Sequence, residues 1–363
     1  MNPFCTAESA IAWAEEQPFT RDMAACVQDA SYHAEGDVFN HTKMVLRELP
    51  KVPGWSDFSV REKQLLIPAA LFHDCGKPKT TQVEDGQITS RGHSRAGARL
   101  ARNILRDLGL GLVKREAIVN LILCHGWPPR FIEQRIPEME VIKAAWLCQN
   151  DLLWTLATAD AKGRQGKDSG FLDALGLWKA MAQELDCWRQ PFPSANREAK
   201  LLVFEDRDKD IRFYNPQEPA RGCMTLMSGP PGAGKDTWLH AHCPNLPVVS
   251  LDILRETLDI DPTDSQGPVI AAAKEMAREH LRAGTSFAFN ATNVVRDTRA
   301  RWIRLARDYG FQVKIVYLEP PLPRLLAQNK KRPAPVPESV ILSLLEKLDV
   351  PLVSEAHEIL LVP

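Results

Sequence analysis

Apolar residues recur along this chain with two different periods, one in each half. From Glu8 to about Arg189 they return every three or four positions, as at 42–49, 62–72, 96–108 and 116–124, the spacing that lines one face of a helix. The first half therefore predicts successive helices packed as an all-α bundle. From Cys223 onward, short apolar runs at 223–227, 246–250, 286–290 and 313–318 alternate with helical stretches at 267–283, 297–309 and 337–348. That alternation predicts an α/β unit, a parallel sheet with helices on both faces and ligands at the carboxyl ends of its strands. Between the halves, Pro191 and Pro193 interrupt the helical pattern, and the stretch that follows, LLVFEDRDKDIRFYNPQEPARG, reads as a short hairpin leading into a linker. The expected organisation is a helical domain at 1–193, a linker at 194–221 and an α/β domain at 222–363.

Composition changes this picture little. At 363 residues, 44% apolar and 25% charged, the chain has core-forming residues for two globular domains. A net charge of −1 argues against a protein that coats long nucleic acid and leaves recognition of a short end or a small ligand. The eight cysteines include no C-x-x-C pair, which fits reduced thiols rather than a disulfide frame or a zinc ribbon. The N-terminus lacks a basic stretch followed by an apolar one, and no run of roughly 18 apolar residues occurs anywhere, so the expectation is a cytoplasmic protein with no membrane partner.

The most specific stretch is GPPGAGKDTW, residues 229–238, after the first strand-like run and ahead of a helix. Gly229, Gly232 and Gly234 let the backbone turn its N–H groups toward a polyphosphate, and Lys235 adds a point charge for the β- and γ-phosphates. Asp236 stands where Ser or Thr normally coordinates magnesium, with Thr237 one place on; a carboxylate also serves a hard cation. The second strand-like run ends at Leu251-Asp252 with Arg255 three residues later, the third leads into Asn290-Ala291-Thr292-Asn293, and the fourth leads to Lys330-Lys331-Arg332 among prolines. A hydroxyl acceptor needs a carboxylate to orient and deprotonate it, which selects Asp252; Arg255 suits the acceptor's own phosphate, and the basic, proline-bounded segment has the character of a lid.

In the helical half the histidines and aspartates fall at helix-associated positions: His41, the adjacent pair His73-Asp74, His93, His125 and Asp160. Ligands spread over separate helices are what a metal site in a bundle core requires, because each helix projects only one or two side chains inward. Lys77, close behind the His73-Asp74 pair, is near enough to neutralise a phosphate. A mixed imidazole and carboxylate set suits Mn, Co, Ni, Fe or Zn better than Mg.

HAEGDVFNHTKMV, LFHDCGKP, GHSRAGARLARNIL, LILCHG and ADAKGR resemble, in order and spacing, the HD phosphohydrolase domain, particularly the subtype attached to tRNA nucleotidyltransferases. The resemblance implies a divalent-metal phosphoesterase with His41, His73, Asp74 and Asp160 as ligands, His93 and His125 as the extra histidines of two-metal members, and His33, Lys77 and Arg164 engaging the phosphate. Downstream, GPPGAGKDTW, SLDILR, NATN and NKKRPAPVP resemble the bacteriophage-type polynucleotide 5′-kinase. That resemblance implies an NTP donor, ATP foremost, with Mg, Asp252 as general base, Arg255 as acceptor-phosphate clamp, Arg332 as lid arginine and Asn293 beside the acceptor. Ala291 and Gln328 depart from its pattern, as does Asp236. Together the halves are similar to the HD-type polynucleotide kinase/phosphatases of bacterial nucleic-acid repair. The expectation is a bifunctional enzyme on RNA or DNA ends that removes 2′,3′-cyclic phosphate and 2′- or 3′-phosphate, phosphorylates a 5′-OH and hands the ends to a separate ligase. Two alternatives stay open: a nucleotide-metabolism enzyme pairing a nucleotidase with a small-molecule kinase, and a regulatory module whose HD domain is inactive.

Overall fold

The computed structural model describes residues 3–363 apart from 30, 32, 85–86, 167–169 and 206–207. The chain divides into two compact units, 1–193 and 194–363.

The first unit is helical: α1 (Ala7–Glu15), α2 (Pro18–Ala25), α3 (Val38–Glu48), α4 (Val60–Phe72), α5 (Lys77–Thr80), α6 (His93–Asp107), α7 (Leu112–Cys124), α8 (Pro137–Leu147), α9 (Asn150–Lys162) and α10 (Phe171–Glu184), with one small antiparallel pair, β1 (Gln82–Glu84) and β2 (Gln87–Thr89). Helix α4 is the axis of the bundle. A reciprocal Ser59–Glu62 capping box starts it, and every residue from Leu66 to Phe72 is buried, so it is apolar all round and packs among α3, α7 and α9. Its end delivers His73 and Asp74 into the bundle interior, at 0% and 2% exposure. Gly76 follows, and there a side chain is excluded: a Cβ would sit 2.1 Å from the His93 carbonyl oxygen and 2.4 Å from the Gly97 nitrogen. This close approach draws the start of α6, and His93 with it, onto the turn that carries Asp74.

The second unit contains α11 (Arg197–Glu205), β3 (Cys223–Ser228), α12 (Lys235–His242), β4 (Val248–Ser250), α13 (Leu251–Leu258), α14 (Gly267–Ala283), β5 (Phe287–Asn290), α15 (Arg296–Asp308), β6 (Gln312–Leu318), α16 (Leu322–Lys330), α17 (Glu338–Lys347) and β7 (Glu358–Val362). The five strands β3–β7 form one parallel sheet in the order β4-β5-β3-β6-β7. The chain leaves β3 for the β4 edge, returns at β5 and crosses to β6, which makes the carboxyl end of β3 the switch point where such sheets bind ligands. The four strands expected from sequence are present. β7, an edge strand with only intermediate burial along most of its length, was not anticipated because its run of Glu-Ile-Leu-Leu-Val is short and lacks alternation.

The hairpin expected at 201–222 is corrected in its first part: residues 201–205 belong to helix α11, which begins at Arg197, and residues 206–207 lie outside the described part. Tertiary contacts decide the matter. Glu198 accepts hydrogen bonds from Arg307 and pairs with His357, and Ala199, Leu201 and Val203 are buried, so the segment presents one helical face to its own unit.

Candidate functional site

In the helical unit the six expected ligand residues converge, all but His93 almost fully buried. Each arrives at a helix end or a defined helix position: His41 in α3, His73 capping α4, His93 opening α6, His125 capping α7 and Asp160 in the last turn of α9. Two neighbouring triads result, His41–His73–Asp160 and Asp74–His93–His125, whose ligand atoms lie within 4.8 Å of one another in each. Asp74 faces both: Oδ2 is 3.3 Å from His73 Nε2 and 3.9 Å from His41 Nε2, while Oδ1 is 3.5 Å from His93 Nε2 and 3.8 Å from His125 Nε2.

Backbone hydrogen bonds fix which nitrogen each ring presents. His73, His93 and His125 direct Nδ1 to the carbonyls of Ala70, Ser90 and Ile122 at 2.8, 2.7 and 2.7 Å. A carbonyl only accepts, so Nδ1 carries the proton and Nε2 the lone pair. Two consequences bear on a metal. The Nε2 atoms of His93 and His125 stand 3.2 Å apart with neither able to donate to the other while neutral, and buried His73 Nε2 has no hydrogen-bond partner among the described residues. Lone pairs so arranged fit divalent cations shared with the two aspartates.

The surrounding charges agree with that use. Burial opposes ionisation of Asp74, yet Lys77, His73 and His93 outweigh it and hold its carboxyl well below the ordinary range; at Asp160 burial is overcome by Arg164 and His41. Burial, reinforced by His93 and His73, pushes His125 down to about 3, so it stays neutral. Lys77 Nζ is 2.7 Å from Asp74 Oδ2, and Arg164 makes a two-point contact with Asp160, its Nη2 2.8 Å from Oδ2. Both cations therefore border the triads. His33 lies at the margin, its ring centroid 4.9 Å from that of His41.

Two residues escaped the sequence reading. Glu35 accepts from His33 Nδ1 at 2.8 Å and sits 2.9 Å from His41 Nδ1. Gln28, 6% exposed, accepts from Lys77 Nζ at 2.5 Å and leaves its own Nε2 without a partner among the described residues. Both come from the segment between α2 and α3, where no periodicity marks a side chain as inward-facing.

In the α/β unit the phosphate loop joins β3 to α12. Gly229 has φ 145°, and a Cβ there would meet the Leu318 carbonyl oxygen at 2.3 Å, so only glycine lets the loop pass the end of β6. Gly232 and Gly234 also have positive φ. Lys235 Nζ donates to the carbonyls of Gly229 and Pro230 at 2.9 and 3.0 Å, folding over the loop it serves. Burial lowers its pKa to about 8, against the pull of Asp236 and Asp252. Asp236 is held from the neighbouring strand, Asn290 Nδ2 donating to its Oδ1 at 2.6 Å, while Thr237 is exposed on the first turn of α12.

Asp252 occupies the first turn of α13, whose cap is Ser250, and its side chain is 71% exposed. Arg255 Nη1 reaches its Oδ1 at 2.5 Å and Arg332 Nη2 lies 4.0 Å from its Oδ2, so the expected base, clamp and lid arginine share one corner of the sheet's carboxyl edge. Asn293 is placed differently from its expected acceptor role. Its side chain is buried, its φ is 44°, and its amide donates to the Met227 carbonyl at 2.9 Å, tying the turn after β5 to the end of β3. Beside the loop, a cavity of about 250 Å³ is lined by Gly234, Thr237, Trp238, Leu318, Arg324 and Gln328, with Trp238 stacked on His242.

These two centres define an HD hydrolase-type domain and a P-loop kinase-type domain in one chain, the first a divalent-metal site and the second a site for nucleotide with magnesium. Comparison with known proteins gives the same pair: residues 38–145 match the HD domain family and residues 224–351 the AAA domain family. Among curated proteins the chain is similar to an L-seryl-tRNA(Sec) kinase of Methanococcus maripaludis, 23% identical over 135 residues, which is 35% of this chain and 53% of the relative. The chain thus spans about half the length of that relative. Among solved structures it is similar to a kinase candidate from Chloroflexus aurantiacus, 19% identical over 39% of this chain and 88% of the other, at a TM-score of 0.33. No helix among the described residues is long and apolar enough to cross a membrane.

Proposed function

We propose that this chain heals broken nucleic-acid ends: the HD unit removes 2′,3′-cyclic phosphate and 2′- or 3′-phosphate, and the P-loop unit transfers the γ-phosphate of an NTP to a 5′-OH. One observation carries the reading. Each unit holds cations for a substrate phosphate beside its reactive centre, Lys77 and Arg164 in the first, Arg255 and Arg332 in the second. Breakage leaving a cyclic phosphate and a 5′-OH presents both substrates at once. The relative named as a seryl-tRNA(Sec) kinase supports an acceptor hydroxyl carried on RNA.

In the HD unit, His41, His73 and Asp160 would hold one divalent ion and Asp74, His93 and His125 a second, with Asp74 facing both. Ions bound there supply an activated water and neutralise charge on the leaving oxygen. Lys77 and Arg164 bind and orient the phosphate against the triads, and the bundle core excludes competing solvent. In the P-loop unit the loop N–H groups and Lys235 cradle the donor phosphates, Asp252 orients and deprotonates the 5′-OH, Arg255 holds the acceptor's adjacent phosphate, and Arg332 covers the transferring group. The cavity beside Trp238 receives the donor nucleoside.

The direct test is a single reaction containing manganese, magnesium, NTP and an oligonucleotide labelled at both ends, bearing a cyclic phosphate and a 5′-OH. Both ends are expected to change. Turnover of mononucleotides with none of the oligonucleotide would instead support the nucleotide-metabolism reading, and metal-free purified protein with no hydrolysis would support the regulatory one.

Two further outcomes follow from the geometry. His125→Ala is expected to remove one of two metal equivalents and to depress hydrolysis strongly, read by elemental analysis after gel filtration with 5′-kinase activity as the folding control. Unchanged metal content, with the effect confined to KM, would leave a single ion and assign His93 and His125 to phosphate binding. Asp236→Ala is expected to raise the magnesium requirement of the kinase, and Asp236→Ser to restore much of the activity. Identical magnesium titrations in both variants would leave Thr237 or the substrate phosphates as sufficient ligands.

A further inference from the structure

Glu35 lies beside the metal triads, two residues after His33 in the stretch HAEGDVFNHTKMV, at a position to which the sequence reading gave no role. Its carboxylate is used from both sides. Oε1 accepts from His33 Nδ1 at 2.8 Å and makes a close charge-pair approach of 2.9 Å to Nδ1 of His41, short of hydrogen-bond geometry, while that ring shares Asp160 Oδ1 at 2.9 Å through its Nε2. Oε2 accepts from the backbone N–H of Gln165 at 2.9 Å, immediately after Arg164, and Ala34 N–H donates back to the Gln165 carbonyl at 2.5 Å. The Glu35 side chain is 2% exposed, so these partners are not shared with bulk water.

The chemistry of an imidazole gives this arrangement a purpose. A ligating histidine needs its proton on the nitrogen away from the metal, and an acceptor beside that nitrogen both selects the tautomer and fixes the ring's rotation. His73, His93 and His125 obtain this from a carbonyl three residues earlier on their own chain segments. Among the described hydrogen bonds His41 has no such backbone acceptor; Val38, three residues before it, gives its carbonyl to Thr42. Glu35 stands where that acceptor is missing. We infer that Glu35 is a positioning residue of the HD centre: one carboxylate presents the Nε2 atoms of His41 and His33 to the site and ties the segment bearing Arg164 to them, so that metal binding and phosphate binding are set by the same side chain. This inference rests on the phosphohydrolase reading of the first unit, but not on which ester is hydrolysed.

The test uses the full-length chain, stripped of metal and titrated with cobalt(II), whose visible absorption reports imidazole coordination. Glu35→Ala is expected to weaken cobalt binding at the triad containing His41 by about 10–100-fold, the usual cost of losing a ligand's orienting partner, and to alter its spectrum. The triad of Asp74, His93 and His125 should keep its affinity. Glu35→Gln should recover most of the binding, because an amide oxygen in the same place still accepts from His33 Nδ1 and still faces Nδ1 of His41. Hydrolysis of a phosphate ester by Glu35→Ala should show a raised KM together with the lower kcat, since the Gln165 tie is lost as well; a residue needed only for folding would not be rescued by glutamine. A cobalt isotherm and spectrum for Glu35→Ala that superimpose on wild type would overturn the inference. Should the alanine protein fail to fold, Glu35→Asp, which withdraws the carboxylate by one carbon, provides the second reading, and wild-type affinity there would overturn it equally. Wild-type protein that binds cobalt yet leaves cyclic ends intact would defeat the proposed substrate alone, because the isotherms still judge Glu35.

Discussion

Replacing Asp74 by alanine is expected to abolish hydrolysis of 2′,3′-cyclic ends and of 2′-phosphates while 5′ phosphorylation by the same molecule continues. Asp74 faces both triads with its two oxygens, Oδ2 toward His73, His41 and Lys77 and Oδ1 toward His93 and His125. Its removal takes the central anion from a buried cluster of imidazoles and an ammonium group, so retained metal should fall in both triads. The loss of rate should exceed the roughly 10–100-fold typical of a residue that only orients a ligand. Asp74→Asn separates charge from shape: the amide fills the same space, yet offers one neutral oxygen where two anionic ones stood. Metal content, hydrolysis and kinase rate measured together decide the matter. Asp74→Asn with wild-type metal content and hydrolysis would remove the carboxylate from the centre, and loss of kinase activity in either variant would point to misfolding of the chain.

Lys235→Ala and Asp252→Ala are expected to have the converse effect, eliminating 5′ phosphorylation and sparing hydrolysis. Lys235 is folded over the phosphate loop and Asp252 stands at the carboxyl end of β4 with Arg255 and Arg332 around it. Removing a general base costs about 10²–10⁴-fold, so Asp252→Ala leaves a faint residual rate, whereas Lys235→Ala also weakens the hold on the donor phosphates. Transfer of labelled γ-phosphate to a 5′-OH oligonucleotide measures both. A rate near wild type in Asp252→Ala would take that residue out of the mechanism, and Arg255 would then be read as an acceptor contact without a base beside it.

The P-loop centre was legible because its determinants are contiguous. A strand, three glycines and a lysine within a dozen residues prescribe a backbone shape, and Gly229, Gly232 and Gly234 all adopt the positive φ that this shape demands. The HD centre was legible for a different reason: its ligands fall at or near the ends of helices, so His73-Asp74, His93 and His125 could be located from helical period before any contact was known. Asn293 shows the limit of reading a motif by position. Its place after a strand end resembles an acceptor site, yet the positive φ turns its amide back to Met227, a contact across 66 residues of sequence.

By itself, then, the sequence determined the two-part architecture, the identity of the metal-type side chains and the phosphate loop, since all of these depend on local periodicity, helix ends and short-range backbone freedom. The tertiary structure alone decided what completes each centre. Asn290 reaches Asp236 only because β5 pairs with β3 in parallel register, setting the end of one strand beside the loop that leaves the other. Residues 197–205 became a helix because Glu198 found Arg307 and His357 more than a hundred residues away. Glu35 and Gln28 sit in an aperiodic connection, and a buried polar side chain there is revealed only by the partners it acquires, because burial without a hydrogen bond would cost more than the fold gains.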